Sequence, residues 1–204
     1  MSKIGFLNEV VFGYIKKDLE NINSYLPKKP GEPGNNNFPI ALCVLSYMEY
    51  LGSFFTLNDF NFDENVKIYM ERCFKNSSSY HPAILGDLFR NGLAHDYFAR
   101  GGVARDGNRP PLYRNYDNIV ILDAETLLVD FLASLDKFAT ELTDDNFNKR
   151  IQIAIDKINA KLANYSSEIN KLPFFGNMPG AHTSGATIIS SMQNITKPYD
   201  PNEK

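Results

Sequence analysis

The stretch "FPIALCVLSYMEYLGSFF", residues 38–55, carries a single charge, Glu49. Wound as a helix, it is apolar nearly all round, with Ser46, Glu49 and Ser53 on one face. Such a helix must be surrounded by other elements, so this segment predicts the centre of a helical fold. Asn37 is placed to cap it, and Pro39 suits its first turn.

Working outward, residues 3–26 repeat apolar positions at three- and four-residue steps: Ile4, Leu7, Val11, Tyr14 or Ile15, Leu19, Ile22 and Leu26. That spacing predicts a first helix. "PKKPGEPGNNN", residues 27–37, separates it from the central helix and predicts a mobile loop. A third helix is expected over 62–75, with acids in its first turn, and a fourth over 82–98, stopped by Gly101-Gly102. Asp106-Gly107 and Pro110-Pro111 then mark turns between short β-prone runs, so residues 100–122 predict a small β-hairpin or irregular excursion.

Asp123 caps a fifth helix over 124–142, with Leu127, Leu128, Phe131, Leu135, Phe138 and Leu142 as its stripe. The sixth, over 145–170, repeats Phe147, Ile151, Ala154, Ile158, Leu162, Tyr165 and Ile169. That is a seam for packing along another helix, either core or a helix–helix interface. After Pro173 the composition turns to Gly, Pro, Ser, Thr and Asn, which predicts an irregular arm, residues 173–204, with His182 exposed. The fold class is therefore all-α: a bundle of five to six helices in one domain, residues 1–172, followed by the arm.

The chain has 204 residues, 43% of them hydrophobic and 22% charged, as in ordinary globular domains. No uninterrupted apolar run reaches the length of a membrane span, and the N-terminus lacks the core of a signal peptide. Cys43 and Cys73 both fall in helical patterns, which suits reduced core residues of a cytoplasmic protein. A net charge of −3 excludes a broad cationic nucleic-acid binder. Five of the seven arginines nevertheless fall within residues 90–114: Arg90, Arg100, Arg105, Arg109 and Arg114. They form either a local basic patch or a solvated loop that uses arginine.

The patch begins in "FRNGLAHDYF", residues 89–98. At about 100° per residue, Ile84, Leu88, Asn91 and His95 form one stripe, with Leu85, Phe89, Gly92 and Leu93 as the apolar arc beside it. Asn91 and His95 thus sit where the buried face meets a polar one, and a polar group there must find partners. One reading is structural: the histidine satisfied by Glu49 or a carbonyl, and Arg90 in an internal ion pair. The other is chemical. A guanidinium matches two phosphate oxygens, and an imidazole exchanges protons near neutral pH. On an ideal helix Arg90 and His95 lie about 140° apart, so a shared phosphate requires a distortion at Gly92 or a second subunit. Gly92 fits a pliable close approach, or simply close packing on the central helix. No HExxH, CxxC, G-x-S-x-G or phosphate-loop motif occurs, and the scattered histidines suggest no metal site.

The run Arg90-Asn91-Gly92-Leu93-Ala94-His95, continued to Tyr97, resembles the HEPN (higher eukaryote and prokaryote nucleotide-binding) superfamily. It is most similar to the toxins with an arginine, four residues, a histidine, one residue and a tyrosine. The resemblance covers residues 3–142 and leaves out the 100–122 excursion and the arm. It implies an HEPN-like bundle that forms a homodimer and cleaves RNA without metal or cofactor. His95 would be general acid or base, Arg90 the phosphate ligand and Asn91 the accessory polar residue. Tyr97, with Arg100 and Arg105 of the patch, would contact substrate. An antitoxin or a nucleotidyltransferase partner is also implied, since the matching tyrosine is modified by such an enzyme in the toxin subgroup. The alternative is a non-catalytic module of the same shape that binds nucleotide, nucleic acid or a partner protein, or a purely structural dimer.

Overall fold

The computed structural model describes residues 1–25, 37–58, 61–96 and 101–171, with the backbone alone at positions 95 and 96. The loop expected at 27–37, except its last residue, and the arm expected at 173–204 lie outside the described residues. The chain is mostly helical, with one small sheet.

Helix α1, residues 3–25, is capped by Ser2, whose hydroxyl accepts from the Gly5 amide at 3.1 Å. Its buried residues are Phe6, Val11, Ile15 and Leu19, whereas Ile4 is 67% exposed. The step of five from Phe6 to Val11 fits no α-helical stripe. It is accommodated because Leu7–Ile15 is wound as a π-helix, ending with the Lys16 amide bonded to the Val11 carbonyl five residues back. The expectation that Ile4 and Leu7 lead the buried face is corrected accordingly.

Helix α2, Asn37–Thr56, is the central element, with Ile40, Ala41, Val44, Leu45, Met48 and Leu51 fully buried. Its 20 residues would suffice by length and composition to cross a membrane, and no other helix among the described residues would. Here half of that apolar stretch is buried in the core, and Phe38 and Tyr50 remain exposed. Helix α3, Phe62–Cys73, crosses it closely. At the crossing a Cβ on Gly52 would overlap the Asn65 carbonyl oxygen, so only glycine lets the two backbones approach. Asn61 caps α3, accepting from the Glu64 amide at 3.2 Å.

Helix α4, residues 82–96, opens on Pro82, and His81 caps it as Nδ1 accepts from the Ile84 amide at 3.4 Å. Three strands follow: β1 (Gly102–Ala104), β2 (Leu112–Arg114) and β3 (Val120–Asp123). β2 and β3 pair antiparallel, Leu112 opposite Leu122, which gives the expected hairpin. The sheet goes further than expected, because β1 adds in parallel on the other side of β3, Gly102 opposite Ile121.

Asp123 ends the sheet and starts helix α5, Ala124–Glu141. One of its oxygens accepts from the Glu125 and Thr126 amides, and the other accepts from the Gly107 amide at 3.0 Å. Gly107 has φ 77°, a left-handed conformation that suits glycine. Helix α6, Asp144–Asn164, starts at Thr143; the helix expected over 145–170 is interrupted at Tyr165, whose backbone (φ −107°, ψ 14°) is not helical, and a short turn α7, Ser166–Ile169, follows. Phe6, Phe54, Phe138 and Phe147 join α1, α2, α5 and α6 in one aromatic cluster. Both cysteines are free thiols, Cys73 buried and Cys43 half-buried.

Candidate functional site

α4 lies against α2 and α3, with Leu85, Gly86, Phe89, Gly92 and Leu93 buried. Ile84, Leu88, Arg90 and Asn91 are half-buried along the rim of that face. The expected edge between core and polar surface is therefore present at Asn91. The burial of Gly92, on a segment that packs against α2, fits close helix packing.

The winding of α4 departs from an ideal helix. Leu85–Arg90 and Gly92–Asp96 are both π-type, and the Asn91 amide donates to the Gly86 carbonyl five residues back. In a helix closed by such bonds, residues five apart stack over one another, as residues four apart do in an α-helix. The backbone positions of Arg90 and His95 are five apart, so this winding narrows the angle between them well below about 140°. The distortion anticipated at Gly92 spans most of the helix rather than a single residue.

Arg90 has specific partners. Its Nη2 donates to Glu49 Oε2 at 3.0 Å, and its Nη1 donates to Asn91 Oδ1 at 3.4 Å. The guanidinium also stands 5.8 Å from the centre of the Phe62 ring. The arginine and glutamate side chains are 28% and 17% exposed, so solvent still reaches the pair. A guanidinium carries five N–H donors, and these contacts engage only some of them. Glu49, a candidate partner for the histidine by sequence, is the counter-ion of Arg90. The signal was available, because the only charge on an otherwise uncharged helix calls for a counter-ion.

Among the other expected residues, Tyr97 and Arg100 lie outside the described residues, as does the side chain of His95. Arg105 is withdrawn from the basic patch. Its side chain is 1% exposed, Nε donates to Glu125 Oε2 at 2.9 Å, and Nη2 donates to Asn23 Oδ1. A guanidinium clamped between α1 and α5 is structural, which corrects its assignment as a substrate contact. Asn23 and Glu125 are 82 and 20 positions away, so no local pattern pointed to them.

Among the described residues of the excursion, Arg109 and Arg114 are the exposed arginines. Arg109 Nε lies 3.3 Å from Asp106, and Arg114 donates to Asn118 Oδ1 at 2.9 Å across the hairpin turn. The excursion packs back beside α4: a Cβ on Gly101 would sit 2.6 Å from the Val120 carbonyl and 3.1 Å from the Phe89 ring. Among the described residues no group of three His, Cys, Asp or Glu side chains could hold a metal ion. Comparison with protein-family models, curated proteins and solved structures finds no match to this chain.

Proposed function

We propose that the chain is an HEPN-like, metal-independent endoribonuclease that works as a cytoplasmic homodimer. The observation that carries the proposal is the π winding of α4, which draws positions 90 and 95 towards one face. In this scheme the ribose 2′-oxygen attacks phosphorus, and the bond from phosphorus to the 5′-oxygen breaks. The products are a 2′,3′-cyclic phosphate and a 5′-hydroxyl. His95 takes the proton from the attacking hydroxyl or supplies one to the leaving oxygen. Arg90 holds the non-bridging oxygens and stabilises the charge that develops on them. Asn91, bonded to Arg90, keeps the guanidinium oriented.

A second reading is favoured by the Arg90–Glu49 pair, which already neutralises the guanidinium. In it the same surface binds nucleotide, nucleic acid or a partner protein without cleavage. The test is end-labelled RNA incubated with purified protein in excess chelator. Cyclic-phosphate ends that vanish with His95→Ala support the nuclease. Binding without new ends supports the module.

A further inference from the structure

α6 begins in the core and leaves it. Ile151 and Ile155 are buried and Ile158 is half-buried, while Leu162, Tyr165 and Ile169 are 43%, 61% and 40% exposed. These six positions alternate steps of four and three, which is the spacing of a coiled-coil seam. Every residue from 159 to 171 is exposed, so the last part of the seam is uncovered among the described residues.

We infer that this overhang pairs antiparallel with the same segment of a second copy of the chain. The steps between Ile158, Leu162, Tyr165 and Ile169 are four, three and four, the same in both directions. A twofold axis between Leu162 and Tyr165 therefore sets Leu162 against the partner subunit's Tyr165, and Ile158 against the partner subunit's Ile169. The flanking charges select this orientation. In the antiparallel register Lys161 faces the partner subunit's Glu168, and symmetry repeats that pair. In a parallel register Lys161 would face the partner subunit's Ser166 and gain no opposite charge. Lys161 on α6 and Glu168 on α7 are both exposed and free of ion pairs among the described residues. The paired length, residues 158–169, takes in the last turns of α6, the turn at Tyr165 and α7, so the interface is small and the dimer weak. The inference rests on α6 and α7 and is independent of the nuclease reading.

Sedimentation velocity on the full chain over a micromolar to high-micromolar series tests it. The parent should shift from monomer to dimer. Leu162→Asp should raise the dimer dissociation constant at least about tenfold, because it puts a carboxylate in the seam. Lys161→Glu turns two attractive pairs into repulsive ones and should weaken the dimer about three- to tenfold. The double swap Lys161→Glu/Glu168→Lys should restore it. Three results would overturn the pairing: a parent that stays monomeric throughout, as it would if residues 173–204 or another protein covered the seam; a Leu162→Asp variant that dimerises like the parent; or a double swap no better than the single one.

Discussion

Arg90 on α4 and Glu49 on α2 form an ion pair of 3.0 Å at the half-buried rim of the bundle, over the face of Phe62. The carboxylate holds the guanidinium in place and also competes with any anion that approaches it. Glu49→Gln should therefore cost about 0.5–1 kcal/mol of stability, the range for a pair that solvent still reaches. At the same time RNA should bind several-fold more tightly. Chemical denaturation and a filter-binding titration read the two effects separately. Loss of stability with no gain in binding would leave the pair as a structural tie.

His95→Ala should lower RNA cleavage by about 10²–10⁴, the usual contribution of one general acid or base. Far-UV circular dichroism should keep its helical signature. Cleavage at the parental rate would remove His95 from the chemistry.

Arg105→Ala should act on the fold rather than on RNA. It leaves Glu125 buried without its cation, a change that costs about 3–5 kcal/mol at fully buried pairs. Arg109→Ala and Arg114→Ala, both at exposed positions, should lower RNA affinity and leave the melting temperature nearly unchanged. Melting curves and binding isotherms on the three variants should separate the two kinds of arginine.

Gly52→Ala pushes a methyl group into the Asn65 carbonyl where α2 crosses α3. The helices must move apart, at a cost of about 1–3 kcal/mol. The denaturation midpoint should fall accordingly, and an unchanged midpoint would mean that α2 and α3 can separate there without loss of packing.

Stability should decline in alkali. Burial, followed by the charge of Glu141, pushes the Cys73 thiol from its ordinary 9.0 up to about 12. Burial also raises the Tyr69 and Tyr80 hydroxyls, and the bond from Tyr80 to Asp130 raises Tyr80 further. These groups stay protonated in the folded chain while their unfolded counterparts ionise. Their stabilisation is complete below about pH 9 and is lost as pH rises towards 12. Denaturation curves between pH 7 and 11 should show the fall, and Cys73→Ala should flatten part of it.

The sequence by itself determined the central place of α2, because a helix apolar nearly all round has nowhere else to be stable. It also determined the helix start at Asp123, where the capping carboxylate lies within one turn of the amides it satisfies. The rim position of Asn91 followed from helical periodicity in the same way. Tertiary structure decided the rest. The five-residue step between Phe6 and Val11 follows from π winding, which a period of 3.6 residues does not contain. The parallel pairing of β1 with β3, the burial of Arg105 and the pairing of Arg90 with Glu49 each join residues at least 19 positions apart. Capping and periodicity act through neighbours on the same helix, so a chain reader can see them. Burial and charge pairing depend on which distant surfaces meet, and only the packed bundle sets that.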